Sequence, residues 1–355
     1  MRVLEIMGSL HRGGAETMIM NYYRAFDKKL CQMDFVIHAR FPDDYCAEAE
    51  NMGAHIIELE RPGQIGAIRY IRILKDAILK NGPYEAVHIH TNHQAFLSII
   101  AAKMAGIKKI VVHSHNTVFP KGTVFVNRLV MDLIPVTRIG CGEAAGKAFF
   151  GFHKFRIINN AIKTDKFSRT SNTDYKTIKQ QRFGNKKVIG HIGRFNIQKN
   201  HDFIIELADD LRKENSNVIF ALYGEGEREA EIQNKVEAMG LQDVVAFMGI
   251  TSDAVTAYHT FDVFILPSKW EGFPVTLVES QLSDIRSLAS DKISCECDLK
   301  AGLIDFVPLD VTTWTQKLEE ILSHSDTEKK YVTADMTRKF DIDEQWKALY
   351  EIYTA

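Results

Sequence analysis

Short apolar runs alternate with longer stretches of helical period along the whole chain. Arg2–Met7, Asp34–His38, Ala54–Leu59, Ala86–His90, Ile110–Ser114 and Arg138–Cys141 read as strands. Near-continuous aliphatic runs between polar breaks suit strands that are covered on both faces. Apolar positions recur every three or four residues over Ala15–Phe26, Ile68–Lys80 and Gln94–Ala105, which predicts helices there. Lys166–Lys187 is polar, holds Ser, Thr, Asn and Asp, and has no apolar period, so it reads as a linker. The rhythm restarts with strands at Lys187–Ile192, Val218–Tyr223, Val244–Met248 and Asp262–Leu266 and helices at Val311–Ser323 and Asp343–Tyr353.

Strand and helix alternating twice over predicts an α/β protein of two doubly wound Rossmann-like domains facing a cleft. Their boundaries fall at residues 1–165 and 166–340, with a last helical segment over 341–355. In such sheets ligands sit at the carboxyl ends of the strands. A length of 355 residues fits two domains.

Composition narrows the function. With 45% hydrophobic and 25% charged residues the chain is an ordinary globular protein. It has no apolar run long enough to span a bilayer, and the opening strand argues against a signal peptide. Five cysteines, two of them as Cys295-x-Cys297, make neither a disulfide framework nor a zinc set, so reduced thiols and a cytoplasmic location are expected. The net charge of −2 hides an asymmetry: 21 Lys and Arg face 15 Asp and Glu in residues 1–165, and 23 face 31 in the remainder. No dense basic run with interleaved aromatics points to nucleic acid.

Residues 263–281 hold the densest chemistry. A strand ends at Leu266, a loop carries Glu271 and Gly272, and Pro274 opens a helix that holds Glu279. Unpaired N–H groups and the positive dipole end of such a helix suit a phosphate. Two carboxylates then flank an anion site, an arrangement for a sugar nucleotide. After strand Lys187–Ile192, Arg194 offers a planar fork to phosphate oxygens and Lys199 a point charge. Two such cations on a loop are also often just solvated charge. Gly13 and Gly14 follow the first strand and let a ligand approach backbone closely, although a plain strand-to-helix turn reads equally well. The absence of G-x-G-x-x-G and of an acidic end to the second strand argues against a dinucleotide. Gly224-Glu225-Gly226 reads as a tight turn. His88, His90, His93, His113 and His115 cluster, yet no Asp, Glu or Cys nearby in sequence completes a ligand set, so no metal is expected. His115 ends an apolar strand and should point into the cleft.

Taken in order, these segments resemble the retaining glycosyltransferases of the two-domain GT-B fold, family 4 of the glycosyltransferase classification. The ordered set runs from Gly13-Gly14-Ala15-Glu16 through His113-Ser114-His115-Asn116, Arg194-Phe195 and Gln198-Lys199-Asn200-His201. It continues with Gly224-Glu225-Gly226 and Phe247-Met248-Gly249, and closes with Pro267-Ser268, Glu271-Gly272-Phe273-Pro274 and Glu279. Met7-Gly8-Ser9-Leu10 and Asn21-Tyr22-Tyr23 resemble the branch that builds bacterial capsular polysaccharide or exopolysaccharide.

The resemblance implies an acceptor-binding first domain, a donor-binding second domain and a last helix that crosses back to the first. Arg194 and Lys199 would bind the donor pyrophosphate with the Gly13-Gly14 loop and the turn Gly272-Phe273-Pro274-Val275. Glu279 would take the ribose hydroxyls, and Glu271 and His115 the transferred sugar. No cofactor and no metal would be needed beyond the nucleotide sugar, and family frequency favours UDP-sugars. The acceptor would be a glycan or a lipid-linked sugar, with peripheral contact to an anionic membrane through the basic helix of Arg69, Arg72, Lys75 and Lys80. Rival readings are a non-catalytic nucleotide-sugar binder and another GT-B enzyme such as an epimerase or phosphorylase. One departure lies near Glu279: Ser283-Asp284-Ile285-Arg286 stands where the family usually has Gly and Pro. Asp accepts a left-handed turn better than most residues, so the fold is expected to survive.

Overall fold

Every strand pairing between named strands is parallel, so each strand must be reached by a crossover and both sheet faces are covered. The computed structural model describes residues 1–120, 122–167, 174–214, 217–251, 253–323 and 332–355. It divides into one unit of Met1–Lys163 with Arg338–Ala355 and a second of Thr164–Thr337.

Among the described residues the first unit holds β1 (Arg2–Ile6), β2 (Gln32–Ile37), β3 (Ile56–Glu58), β4 (Ala86–Ile89), β5 (Lys109–Ser114), β6 (Thr137–Gly140) and β7 (Arg156–Ile157). They run in the order β3-β2-β1-β4-β5-β6-β7, which reverses direction between β1 and β4. Helix Gly14–Ala25 packs on one face together with the C-terminal helix Ile342–Thr354. Phe26 meets Trp346 edge-on at 5.8 Å, and Ile342, Leu349 and Ile352 join the same apolar cluster. The helix Ala67–Asn81 buries Tyr70, Leu74, Ala77 and Ile78 in the core of the opposite face. Its cations Arg69, Arg72 and Lys80 are left on the solvent side.

The second unit holds β8 (Lys187–Ile192), β9 (Val218–Tyr223), β10 (Val245–Gly249), β11 (Val263–Leu266), β12 (Ser287–Ser290) and β13 (Ile304–Val307). Their order is β10-β9-β8-β11-β12-β13, so the winding reverses at β8 and β11, where a doubly wound sheet takes its ligand. The linker reading needs correction. Residues 168–173 lie outside the described residues, but Tyr175–Phe183 is a helix. Asp174 caps it by accepting the Thr177 N–H at 3.1 Å, and Tyr175 and Phe183 at its ends are buried. Two buried aromatics on an otherwise polar segment leave too weak a period to read. Pro274 also sits one position earlier than expected: it is the N-cap, and the helix is Val275–Leu282.

Asp284 carries the departure near Glu279 and takes φ +60, the left-handed conformation that a glycine would adopt there. The helix ends normally before it, and β12 begins three residues later. Asp284→Val should therefore cost about 1–2 kcal/mol, because a β-branched residue fits this region poorly. Asp284→Gly should stay within about 1 kcal/mol of the parent, since glycine reaches the conformation freely. Urea midpoints of the two variants check this ordering.

Candidate functional site

In the second unit the loops after β8 and β11 are stitched together. Asn200 adopts φ +60 and sends its amide to the Pro267 carbonyl at 3.2 Å. The Lys269 N–H donates to the Gln198 carbonyl at 2.9 Å, and the Lys199 N–H to the Asn196 side chain at 3.0 Å. This places two neighbouring donors on one carboxylate. Lys199 Nζ donates to Glu271 Oε1 at 2.6 Å and Gln198 Nε2 to Glu271 Oε2 at 2.8 Å. The side chains of Lys199 and Glu271 are 15% and 7% exposed, so the pair is largely screened from water. Arg194, on the same loop, is exposed.

Glycine is demanded behind this loop. A Cβ on Gly224 would stand 2.2 Å from the Gly193 carbonyl oxygen, and one on Gly226 would stand 2.4 Å from that of Phe195. The Gly224-Glu225-Gly226 turn thus presses backbone to backbone against the loop that carries Arg194. Gly272, Phe273 and Pro274 are buried, while Val275 and Glu279 are half-buried. Glu279 Oε2 accepts the Tyr258 hydroxyl at 2.9 Å. Burial raises the Glu279 carboxyl to about 7 despite that bond. Sequence reasoning does not reach Tyr258, because 21 residues separate it from Glu279 and no local motif marks it.

In the first unit the carboxyl ends of β1, β2 and β4 surround a cavity of about 410 Å³. Ser9, His38, Arg61, Tyr70, His90 and Asn116 supply polar groups to its wall, with Phe41 and Pro62 as apolar patches. Gly13 is the N-cap of helix Gly14–Ala25. A side chain on Gly14 would meet nothing within 4 Å, so internal packing does not call for glycine at that position.

Behind the cavity lies a polar core that the sequence does not disclose. The expected absence of a carboxylate beside the histidines is wrong in space: Glu5, on β1, reaches them from far along the chain. Glu5 Oε2 meets His90 Nε2 at 2.8 Å, and Glu5 Oε1 accepts the Tyr353 hydroxyl at 3.0 Å. His90 Nδ1 meets His115 Nε2 at 2.7 Å. Burial alone would raise the Glu5 carboxyl, but the imidazoles of His88 and His90 beside it hold it down at about 2. An ionised Glu5 accepts a proton-bearing His90 Nε2, so His90 Nδ1 is the acceptor and His115 Nε2 the donor. His115 is thereby fixed with its free lone pair on Nδ1, an enclosed atom with no partner among the described residues. Burial, then repulsion from His90 and His88, pushes His115 well below the ordinary histidine range, so it stays neutral. His115 itself is not on the cavity wall; its neighbours His90 and Asn116 are. Donor atoms of His88, His90 and His113 lie within 4.8 Å of one another. A cation shared there would have to break one of the two bonds that already engage His90.

Comparison with known proteins bears on both units. Residues 174–335 match the model of the family described as glycosyl transferases group 1. The chain is 30% identical over 370 residues to the putative glycosyltransferase EpsF of Bacillus subtilis, covering 99% of this chain and 96% of that protein. It is 26% identical over 258 residues to the UDP-Gal:alpha-D-GlcNAc-diphosphoundecaprenol alpha-1,3-galactosyltransferase of Escherichia coli, covering 65% of this chain and 66% of that enzyme. Among solved structures, Anabaena HepE in complex with UDP and glucose superposes over 100% of both chains with a TM-score of 0.83 at 18% identity. The fold is therefore GT-B.

The raised carboxyl of Glu279 has a consequence for stability. Between its ordinary value and about 7 the folded state holds a proton that the unfolded state has lost. Its contribution to stability is full below that window and disappears as pH rises through it. Glu279→Gln should therefore gain in melting temperature relative to the parent on going from pH 5 to pH 8. An offset that is the same at both pH values would contradict the raised carboxyl.

Proposed function

The chain belongs to the group 1 glycosyl transferases, and from that premise we propose that it moves a hexosyl group from a UDP-sugar to a glycan or lipid-linked acceptor in bacterial surface polysaccharide synthesis. The observation that carries this reading is the Lys199–Glu271 pair at the ends of β8 and β11. A lysine held on a carboxylate at the switch point, ahead of a helix N-terminus, is a phosphate site with its cation already in place. The UDP complexes of HepE and the UDP-galactose donor in the name of the Escherichia coli enzyme support uracil as the base.

In this reading the pyrophosphate takes Lys199 and Arg194, with the turn Gly272-Phe273-Pro274-Val275 and its helix end behind it. Glu279 accepts the ribose hydroxyls. Glu271, released from Lys199, accepts hydroxyls of the transferred sugar. In the first unit the Gly13-Gly14 loop lets the diphosphate approach backbone closely, and the ring of His115 contacts the transferred sugar. The 410 Å³ cavity with its hydroxyl, amide and guanidinium groups takes the acceptor.

The bond from the anomeric carbon to the phosphate oxygen breaks, and a bond from that carbon to the acceptor oxygen forms on the same face. The acceptor proton goes to the released phosphate oxygen, so no side-chain base is required and configuration is retained. The rate then depends chiefly on stabilising the leaving diphosphate, an electrostatic task for groups already in place. Fixed cations and a helix end perform it without a divalent ion.

Three measurements on the purified protein test this. Transfer should persist in EDTA; loss that magnesium or manganese restores would direct attention to the histidine cluster. Glu271→Gln should slow transfer while UDP binding holds, because the glutamine carbonyl still accepts from Lys199 and leaves its charge for the diphosphate. Glu279→Gln should weaken UDP binding by about 1.5–3 kcal/mol through the lost ribose contacts. If neither carboxylate affects a confirmed transfer, both are structural and the assignment fails.

A further inference from the structure

The cavity of the first unit carries a fixed cation on its wall and no acid to balance it. Arg61 lines the cavity, whereas no Asp or Glu does. The acids close to Arg61 in the chain are taken by other cations. Glu58 and Glu50 pair with Arg40 at 2.5 and 2.8 Å, and Glu60 faces Arg69 at 3.7 Å, so among the described residues no ion pair engages Arg61. The enclosed groups around it stay neutral. His38 Nε2 lies 2.9 Å from the Tyr70 hydroxyl. Burial, and then the Arg61 guanidinium nearby, lowers His38 to about 4. Burial pushes the Tyr70 hydroxyl up to about 12, so it remains a phenol. Glu5, behind the wall, is wholly buried and gives one oxygen to His90 and the other to Tyr353.

We propose that the molecule taken by this cavity carries an oxyanion, a phosphate or a carboxylate, and that Arg61 receives it. Hydroxyls and amides alone would serve a neutral sugar. A guanidinium without a counterion prefers an anion, to which it offers two parallel N–H donors. Its position suits the task. Arg61 follows β3, and the cavity lies at the carboxyl ends of β1, β2 and β4, where a doubly wound sheet takes its ligand. Arg61 is exposed, so its head group can turn to a ligand without leaving a buried partner. Ser9, His38 and Asn116 are then left for sugar hydroxyls. The excess of 21 Lys and Arg over 15 Asp and Glu in residues 1–165 draws an anion towards this unit. The inference rests on the proposed function in treating the cavity as the acceptor site, and it narrows that acceptor to an anionic one. The oxyanion has two sources with the same chemistry: the phosphate that links a sugar to a carrier, or the carboxylate of an acidic sugar in a glycan.

The test measures binding to the full chain with no donor present, so it stands apart from transfer. Three probes are compared: a short-chain alkyl diphosphate of N-acetylglucosamine, methyl glucuronide, and the methyl glycoside of N-acetylglucosamine as the neutral reference. At least one anionic probe should bind about tenfold or more tightly than the neutral one, the scale of one charge-assisted contact. Arg61→Ala should abolish that margin while the neutral probe's affinity and the melting temperature hold. Arg61→Lys should restore part of it, since a point charge lacks the fork. Lys199→Ala should leave it intact, which separates this site from the diphosphate site of the second unit. A margin for the diphosphate alone would place the anion in a carrier linkage, and one for the glucuronide alone in an acidic sugar. Neutral and anionic probes binding alike, a margin that survives Arg61→Ala, or one that disappears in Lys199→Ala would overturn the proposal. A margin lost in Arg61→Ala, in a protein that transfers no sugar, would fail the proposed function and still support the anion site.

Discussion

The ion pair between Lys199 and Glu271 organises the second unit's ligand end. Breaking a largely buried pair leaves one charge uncompensated, so each partner holds the other's loop in place. The left-handed turn at Asn200 and its bond to the Pro267 carbonyl bring the loops close enough for the pair to form. The Gly224-Gly226 turn lets the Arg194 loop lie flat behind it. Such a pair is a poor device for stability alone, because its desolvation offsets much of its attraction. It makes better sense as an exchangeable contact. In the proposed function an arriving diphosphate would offer Lys199 a stronger anion and free Glu271 for neutral hydroxyls.

The first unit is arranged around a different buried charge. Glu5 sits wholly inside a parallel sheet and is held ionised by imidazole and phenol partners from β4 and the last helix. That network fixes the His90 and His115 tautomers in series and ties the C-terminal helix to β1 through Tyr353. A polar core of this kind is costly unless satisfied, so it specifies one arrangement of strands and helix.

The strand-and-helix rhythm is legible in the sequence because parallel strands are apolar on both faces and amphipathic helices keep their period. Lys187–Ile192 and Val218–Tyr223 fall where the apolar runs place them. The loops carrying Lys199 and Glu271 stand out in the sequence because strand-end glycine and helix start are local signals. What escapes is non-local or disguised. β12 reads Ser-Leu-Ala-Ser, which looks like a loop; its buried Ser287 is satisfied by Ser280 at 2.8 Å, an arrangement only the fold reveals. Glu5 meets His90 across 85 residues and Tyr353 across 348, and no window of sequence spans such distances. The helix Thr123–Leu133 escapes because its inner face sets Asn127 beside Met131 while Phe125, Leu129 and Leu133 lie exposed, so its apolar period is blurred.

The most direct test compares two ligands on one variant. Calorimetry of UDP and of uridine should be run on the parent and on Lys199→Ala. If Lys199 is a phosphate ligand held in waiting by Glu271, UDP affinity falls by about tenfold to a hundredfold, the scale of one charge-assisted bond, while uridine affinity is unchanged. Equal losses for both ligands would mean that the substitution merely collapses the loops. Unchanged UDP affinity would mean that the ion pair is structural and the diphosphate binds elsewhere.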